Sequence, residues 1–311
     1  MEKIIECVPN ISEGRDNQII NACADVLKNI PGVTLLDVDP GKSTNRTVFT
    51  FVGNEKSVIE GAFRFAQKAY ELIDMSKHSG EHPRMGAVDV VPFVPVANAT
   101  MEDCIACAKR FGEMVGMELG VPIYLYEEAS DNPNRKMLKQ IRLGEYEGLK
   151  DKIHKPEWKP DYGPQEFVPR SGATASGARN FLIAYNVNIL GTKQQAHRIA
   201  LDIREQGRGK DSPGKFKAVK GIGWYVDEYD MAQVSMNLDD YKISPLHLVF
   251  EEIVRIAKIL NLAVCGSELV GLIPLDAMLS AAEYYIKKEN LFILEERQKI
   301  KLVTERLGLS S

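Results

Sequence analysis

The chain has 311 residues, enough for two domains of ordinary size, and its 44% hydrophobic and 26% charged residues are typical of a globular protein. A net charge of −4 argues against a nucleic-acid-binding protein, and no stretch reaches the roughly 18 apolar residues that a membrane helix needs. The N-terminus lacks the pattern of a secretory signal, and an odd number of cysteines, five, favours a reducing cytoplasm. We therefore expect a cytoplasmic protein without nucleic-acid or membrane partners.

The first half of the chain predicts the element order βαββαβ. Apolar runs bounded by Pro, Gly or Asn predict strands, and apolar residues three or four positions apart predict helices. The predicted elements are, in order, a strand at 3–8, a helix ending before Pro31, strands at 33–38 and 46–52, a helix over 58–73 and a strand at 88–94. A helix near 101–117, capped by Thr100 and Asp103, and a strand near 123–127 follow as additional elements.

The second half predicts the same order without a close sequence repeat. Its elements are, in order, a strand at 180–188, a helix opened by a Thr192–Gln195 capping box, strands at 218–226 and 231–238, a helix opened by Ser244 as N-cap and Pro245, and a strand at 263–270. A helical tail after Pro274 ends in a charged segment at 287–306. We therefore expect an α/β (α+β) fold of two ferredoxin-like βαββαβ subdomains, with mixed or antiparallel sheets and helices on one face.

The stretch 150–179 joins the two halves and is rich in proline and glycine. Such a stretch rarely forms a packed core, so it is either a linker or a ligand-binding loop. We place the boundary here, which gives an N-terminal subdomain of residues 1–178 and a C-terminal subdomain of residues 179–311.

The densest group of reactive side chains is His78-Ser79-Gly80-Glu81-His82-Pro83-Arg84-Met85-Gly86. This segment combines two imidazoles with a carboxylate and a guanidinium, and histidine is the side chain best suited to proton transfer near neutral pH. His78 and His82 stand at i and i+4, a spacing that would suit a metal on a helix. Gly80 and Pro83 disfavour a helix and therefore a zinc site, which leaves a catalytic loop and solvated histidines as the two interpretations.

Gly41-Lys42-Ser43-Thr44 resembles the end of a phosphate-binding P-loop. The full pattern requires a glycine five residues earlier, where this chain has Leu36, and a strand rather than a helix follows. We therefore do not expect nucleotide binding by this route. The same loop carries Asp39 and Arg46, an acid and a base that suit a zwitterionic substrate, although solvated charges in an ordinary turn are the alternative.

Two further patterns have both a structural and a functional interpretation. Cys104 and Cys107 form a single C-x2-C on a predicted helix, where core-facing thiols are a simpler explanation than a metal or redox site. The basic segment 204–220 would either attract an anionic ligand or form a surface loop. We expect no bound metal.

Four motifs in the same order resemble the glutamate formimidoyltransferase (glutamate formiminotransferase) family over nearly the whole chain. They are Cys7-Val8-Pro9-Asn10-Ile11-Ser12-Glu13-Gly14-Arg15, the segments 37–46 and 78–95, and the stretch from Gly163 to Arg179. The resemblance implies transfer of the formimino group of N-formimino-L-glutamate to N5 of tetrahydrofolate, a step of histidine degradation and one-carbon metabolism. It also implies a homodimer with a folate tunnel between the subdomains. Animal relatives add a cyclodeaminase domain, and because this chain ends at 311 we expect the stand-alone form and a separate cyclodeaminase partner.

The resemblance also implies roles for individual residues. The family's catalytic histidine falls on His82, which we expect to carry a proton from N5 of tetrahydrofolate to the leaving glutamate nitrogen. Asp39 is our candidate for stabilising the cationic formimino group, and Arg46 and Arg84 are candidates for binding the glutamate carboxylates. The folate-contacting residues fall on Gly163, Pro164, Gln165, Glu166, Phe167, Val168, Pro169, Arg170, Ser171 and Gly172.

Two other functions are compatible with the sequence. A related folate enzyme that uses a formyl donor or 5-formyltetrahydrofolate would need the same pterin site, and only the donor pocket distinguishes it. A non-catalytic folate-binding protein would not need a proton shuttle. The combination of His82, Arg84 and Asp39 therefore favours an enzyme.

Overall fold

The computed structural model of the protein describes residues 2–228 and 230–289. The chain divides into two compact units, one ending at Asn180 and one beginning at Phe181, and each has its own sheet and hydrophobic core. The division directly follows the proline- and glycine-rich stretch. Within the described residues, no helix is both long enough and apolar enough to cross a membrane.

Within residues 2–180, the sheet has seven strands. They are β1 (Ile4–Cys7), β2 (Asn10–Ile11), β3 (Val33–Gly41), β4 (Arg46–Gly53), β5 (Val88–Ala97), β6 (Ile123–Glu127) and β7 (Thr174–Ala178). β1 and β2 lie end to end between β4 and β5 and are antiparallel to both. They are separate strands because Pro9, which lies between them, has no N–H to continue the ladder. β3 pairs antiparallel with β4 at one edge, and β5, β7 and β6 run parallel at the other. The first βαββαβ unit thus forms the predicted ferredoxin-like sheet, which β7 and β6 extend.

The helices of the first unit lie on both faces of this sheet. They are α1 (Asn17–Lys28), α2 (Glu55–Leu72), α3 (Met101–Met114, extended by a π-helical turn), α4 (Leu138–Ile141) and α5 (Glu145–Lys152). Ile123 and Leu125 of β6 pack into the core beneath α1–α3, whereas the alternate residues Tyr124 and Tyr126 belong to a second cluster that includes Ile141. Since successive strand residues face opposite sides, α4 and α5 cover the face opposite α1–α3. These two short helices are not among the elements predicted from the sequence.

Several local predictions for the first unit are confirmed. Thr100 and Asp103 form the predicted capping box at the start of α3. Cys104 and Cys107 are buried in the core on the same helix, as expected for structural thiols. The strand predicted near 123–127 is β6.

Strand β7 lies inside the stretch that the sequence analysis treats as linker or loop. Its residues, Thr-Ala-Ser-Gly-Ala, are small, so they lack the β-branched and aromatic signal of a strand. All five are buried, and the hydroxyl of Ser176 donates to the carbonyl of Ala108 on α3 at 2.9 Å. Small residues here allow α3 to approach the sheet closely.

The second unit is a four-stranded antiparallel sheet with the order β11-β8-β10-β9. Its elements are β8 (Ile183–Leu190), α6 (Lys193–Ile203), β9 (Val219–Val226), β10 (Met231–Leu238), α7 (Leu246–Ile259), β11 (Ala263–Val270) and α8 (Leu275–Lys288). The first six form the predicted βαββαβ unit, and Thr192 and Gln195 form the predicted capping box of α6. The ferredoxin-like arrangement is thus present in both units.

The predicted cap of α7 is wrong, and the predicted helical tail is confirmed as far as the described residues reach. Ser244 does not cap α7, because its hydroxyl donates to the carbonyl of Lys217 at 2.6 Å and the helix starts at Leu246 without a side-chain cap. The predicted helical tail begins as α8, which ends at Lys288. The rest of the charged segment, from residue 290, lies outside the described residues.

Candidate active site

Asn45 connects three of the segments singled out in the sequence. It adopts a left-handed backbone conformation with φ of 47°, which asparagine tolerates better than most residues. Its side-chain oxygen accepts from the N–H of Gly14 at 3.0 Å, and its amide donates to the carbonyl of Ser79 at 2.8 Å. Its own carbonyl accepts from Nε2 of His78 at 2.9 Å. The N-terminal motif (residues 7–15), the turn before β4 (residues 42–45) and the histidine loop (residues 78–86) therefore meet at one residue.

Gly80 is needed where the histidine loop packs against the turn before β4. A Cβ at this position would overlap the carbonyl oxygen of Thr44 and lie 2.9 Å from the Cβ of Asn45. We expect Gly80→Ala to lower the free energy of unfolding by about 1–3 kcal/mol, because both obstacles lie on or next to backbone that cannot move freely. Urea denaturation measures this change. The control is Gly148→Ala on α5, where the added methyl meets no atom within 4 Å. The free energy of unfolding of this variant should be unchanged or higher. Equal losses of stability in the two variants would contradict the packing argument.

Asp89 is the centre of a buried ion cluster. It lies near the start of β5, its side chain is fully buried, and its Oδ2 is 2.5 Å from both Nη1 of Arg46 and Nη2 of Arg142. Its other oxygen accepts from the N–H of Met85 at 2.9 Å. Burial alone would raise the pKa of Asp89, but the two guanidinium groups outweigh it and hold the pKa well below its usual range. The cluster thus carries one carboxylate and two cations.

His82 lies beside this cluster and is partly buried. Its Nδ1 is 2.7 Å from the carbonyl oxygen of Pro83, and since a carbonyl can only accept, the contact assigns the ring proton to Nδ1. Burial, followed by the positive charges of Arg46 and Arg142, holds the pKa of His82 well below its usual range, and Asp89 opposes this shift. His82 is therefore a neutral imidazole at pH 7 with its lone pair on Nε2, the form that a general base requires.

His78, the other histidine of the loop, is held by hydrogen bonds at both ring nitrogens. Its Nε2 donates to Asn45, and its Nδ1 accepts from Nε of Arg84 at 3.2 Å. Arg84 in turn binds Glu147 through both terminal nitrogens, at 2.6 and 2.8 Å, and also contacts Glu145 at 3.0 Å. The guanidinium of Arg84 thus already binds two carboxylates of α5.

Asp39 and Arg46 lie on the same face of the sheet. Asp39 is on the edge strand β3 opposite Val48, and Gly41 is opposite Arg46, so the two charged residues are diagonal neighbours across β3 and β4. Arg46 is held by Asp89 and by the side-chain oxygen of Asn10, which accepts from its Nε at 3.0 Å. The structure therefore brings Asp39, Arg46 and His82 to one region of the first unit.

The C-terminal end of the stretch Gly163–Gly172 lies next to the histidine loop. Gly172 forms a β-bridge with Gly86, and the carbonyl of Ser171 accepts from the N–H of Ala87 at 2.8 Å. The middle of the stretch contacts α5, where the ring of Phe167 lies 5.4 Å from that of Tyr146. At the other end, Gly163 packs against the π-helical turn and Val121. Of the ten predicted folate residues, Ser171 and Gly172 thus contact residues 86 and 87, at the end of the histidine loop.

Sequence reasoning did not single out two members of the ion cluster. Asp89 lies within the recognised segment 78–95, and a lone acid at the start of an apolar strand is a signal that could have identified it. Arg142 lies between two short helices in a region without a motif, so only the fold brings it to Asp89. In the described residues, no group of three or more His, Cys, Asp or Glu has an arrangement that could hold a metal ion.

Comparison with known families matches both units. The profile described as "Formiminotransferase domain, N-terminal subdomain" matches residues 4–179, and the profile described as "Formiminotransferase domain" matches residues 184–311. The two matches correspond closely to the two compact units.

Relatives of two lengths align with the chain. The "Formimidoyltransferase-cyclodeaminase" of Dictyostelium discoideum is 62% identical over the whole chain, and that of Gallus gallus is 61% identical; the chain spans 58% of the length of each. The "Glutamate formimidoyltransferase" of Streptococcus pyogenes is 43% identical over 93% of this chain and 95% of its own length. The chain therefore belongs to the formiminotransferase family.

Proposed function

We propose that the protein transfers the formimino group of N-formimino-L-glutamate to N5 of tetrahydrofolate, releasing 5-formiminotetrahydrofolate and L-glutamate. The observation that carries the proposal is the position of His82, whose Nδ1 contacts the carbonyl of Pro83, beside the buried cluster of Arg46, Arg142 and Asp89. The printed names of the relatives, which include glutamate formimidoyltransferase, support the same reaction. The reaction would belong to histidine degradation and one-carbon metabolism.

The proposed chemistry needs one group that first accepts and then returns a proton. The formimino group is an amidine, which is cationic at neutral pH, so its carbon is already electrophilic. N5 of tetrahydrofolate attacks this carbon and becomes positive, and Nε2 of His82 removes its proton. The imidazolium then protonates the glutamate nitrogen, the carbon–nitrogen bond to glutamate breaks, and neutral His82 is restored.

The ion cluster suits both halves of this proton transfer. Burial and the cations of Arg46 and Arg142 lower the pKa of His82, so the ring is neutral when N5 attacks and gives up its proton readily afterwards. Asp89 offsets part of this effect, which keeps the imidazolium accessible as a short-lived intermediate. Binding two substrates in attack geometry would supply much of the remaining rate enhancement.

Substrate binding follows from the same charges. Asp39 would stabilise the cationic formimino group, and the excess positive charge of Arg46 and Arg142 over Asp89 would attract the glutamate carboxylates. Arg84 is a weaker candidate than Arg46 for binding these carboxylates, because Glu145 and Glu147 already bind its guanidinium. We propose that residues 163–172, with the backbone of Ser171 and Gly172 beside the histidine loop, contact tetrahydrofolate with or without a polyglutamate tail.

The low pKa of His82 predicts the pH dependence of the reaction. Because the neutral ring is the base, kcat/KM should fall at low pH, where His82 becomes protonated. Since the pKa of His82 lies below the ordinary histidine value, this fall should occur below pH 6.5. Arg142→Met removes one cation and should move the acid limb to higher pH. A limb that does not move in this variant would belong to an ionisation of a substrate rather than to His82.

A formyl-transfer reaction is the second candidate, because it would use the same proton shuttle and the same folate. Steady-state assays with formiminoglutamate plus tetrahydrofolate, and separately with 5-formyltetrahydrofolate, distinguish the two. We expect turnover only with the formimino donor. Turnover only with the formyl compound would replace the proposal, and folate binding without any turnover would leave a non-catalytic folate-binding protein.

The family resemblance also supports proposals about assembly and location. We propose a homodimer in the cytoplasm, whose product is consumed by a cyclodeaminase, the second activity named in the longer relatives. Light scattering of the purified protein measures the mass in solution. A monomer at assay concentration would remove the dimer from the account.

A further inference from the structure

Lys152 is a buried cation in the first unit whose role the proposed reaction does not explain. The residue is 7% exposed, and within the described part of the chain it forms no ion pair with a carboxylate. Its Nζ donates to the carbonyl of Ile141 at 2.6 Å and to that of Leu143 at 2.8 Å, and lies 4.6 Å from the ring centre of Trp158. Burying a charge in this way is costly, so these contacts need an explanation.

The two carbonyls that Lys152 binds belong to the neighbours of Arg142 on either side. Arg142 directly follows α4, a helix of only four residues, which by itself holds its last carbonyls weakly. The ammonium of Lys152 binds these C-terminal carbonyls, the position at which a cation stabilises a helix end. It thereby fixes the backbone from which the Arg142 side chain reaches Asp89.

We propose that Lys152 is a positioning residue that holds Arg142 against Asp89 and so sets the proton affinity of His82. The role of His82 in catalysis rests on the proposed function, but the coupling between Lys152 and the His82 ring does not.

The side chain of Arg142 depends on this backbone support. Its Nη2 binds Asp89 at 2.5 Å, whereas its Nε is buried and has no hydrogen-bond partner. One charged contact and an unsatisfied donor do not define the position of a long side chain, so the fixed backbone at residues 141–143 must contribute.

The charged groups that face His82 come from three elements. Arg46 is on β4, Asp89 is on β5, and Arg142 follows α4. If Arg142 withdraws, one of the two cations is lost and the carboxylate remains, so the pKa of His82 must rise. Burial lowers the pKa of Lys152 to about 8, so its hold on the two carbonyls should weaken in alkaline solution, when the ammonium loses its proton.

The test measures the pKa of His82 directly, by NMR titration of the full-length protein labelled at histidine and assigned with a His82→Gln variant. We expect Lys152→Met and Arg142→Met each to raise this pKa by roughly one unit, because each takes the guanidinium of Arg142 away from the His82 ring. The double variant should show no further rise. Lys150→Met, an exposed lysine on the same helix, is the matched control and should leave the pKa unchanged.

A folded Lys152→Met protein with an unchanged His82 pKa would overturn the proposal, and so would shifts that add in the double variant. If Lys152→Met does not fold, Lys152→Gln serves the same purpose, because its shorter, uncharged amide weakens the contacts but satisfies some of the carbonyls. It should raise the pKa by a smaller amount, and no rise would again overturn the proposal. Failure of the proposed function is a separate result, since wild-type protein without formimino transfer would still show this coupling.

Discussion

Replacing His82 by alanine should lower kcat by about 10²–10⁴-fold while leaving the binding of tetrahydrofolate nearly unchanged. That factor is the usual contribution of a positioned acid–base group. The loss should fall on kcat because His82 acts on the proton of N5 in the transition state and contributes little to binding the ground state. Steady-state kinetics and a fluorescence or calorimetric titration with tetrahydrofolate measure the two quantities.

His154→Gln is the matched control for this prediction. His154 is an exposed histidine of the same unit, on the segment that follows α5, and its replacement should change neither kcat nor folate affinity. A His82→Ala protein that turns over at a near-normal rate would remove His82 from the mechanism. A loss of folate binding as large as the loss of rate would instead give His82 a binding role.

Asp89→Asn should lower the free energy of unfolding by about 3–5 kcal/mol, the usual cost of removing one partner from a buried ion pair. The substitution keeps the size of the side chain and an acceptor for the N–H of Met85. It removes the charge that compensates Arg46 and Arg142, whose side chains are only 8% and 15% exposed. Urea denaturation at neutral pH measures the change.

The exposed pair of Arg64 and Glu60 provides the comparison for Asp89. Its side chains are 53% and 45% exposed, so Glu60→Gln should cost less than about 1 kcal/mol. Similar costs for the two substitutions would show that the cluster around Asp89 is not a buried one.

The Asp89 prediction also has a defined pH dependence. The folded pKa of Asp89 lies well below its usual range, so its stabilising effect is complete above the unfolded value of about 3.9. It is lost only as the pH falls through the folded value. The difference in stability between wild type and Asp89→Asn should therefore be constant from pH 5 to 8 and shrink in strong acid.

The regular elements could be predicted from the sequence because their apolar periodicity is strong. The βαββαβ order of both units and the capping boxes at Thr100 and Thr192 follow from local patterns alone. β7 could not be recognised, since its small residues are selected by the close approach of α3 rather than by strand propensity. α4 and α5 were missed because they are short and their stability depends on packing against β6.

The candidate site was predictable where its residues lie in motifs. His82 lies in the histidine loop, Asp39 and Arg46 lie on β3 and β4, and Asn45, in the turn between these two strands, bonds to that loop. Arg142 and Lys152 come from a region without a motif. The role of Arg142 depends on its contact with Asp89, about 50 positions away, and that of Lys152 depends on backbone carbonyls, which the sequence does not mark. Arg84 was a reasonable carboxylate ligand by residue type, but Glu145 and Glu147 cannot be identified as its partners without the fold.

The most direct test of the account is a crystal structure of the protein with 5-formyltetrahydrofolate, which carries its one-carbon group on the nitrogen that should react. We predict that Nε2 of His82 lies within about 3.2 Å of N5, or one bridging water away, with Nδ1 still donating to the carbonyl of Pro83. A folate whose N5 is bound far from His82, or a ring turned so that Nε2 faces the protein interior, would contradict the proposed proton transfer.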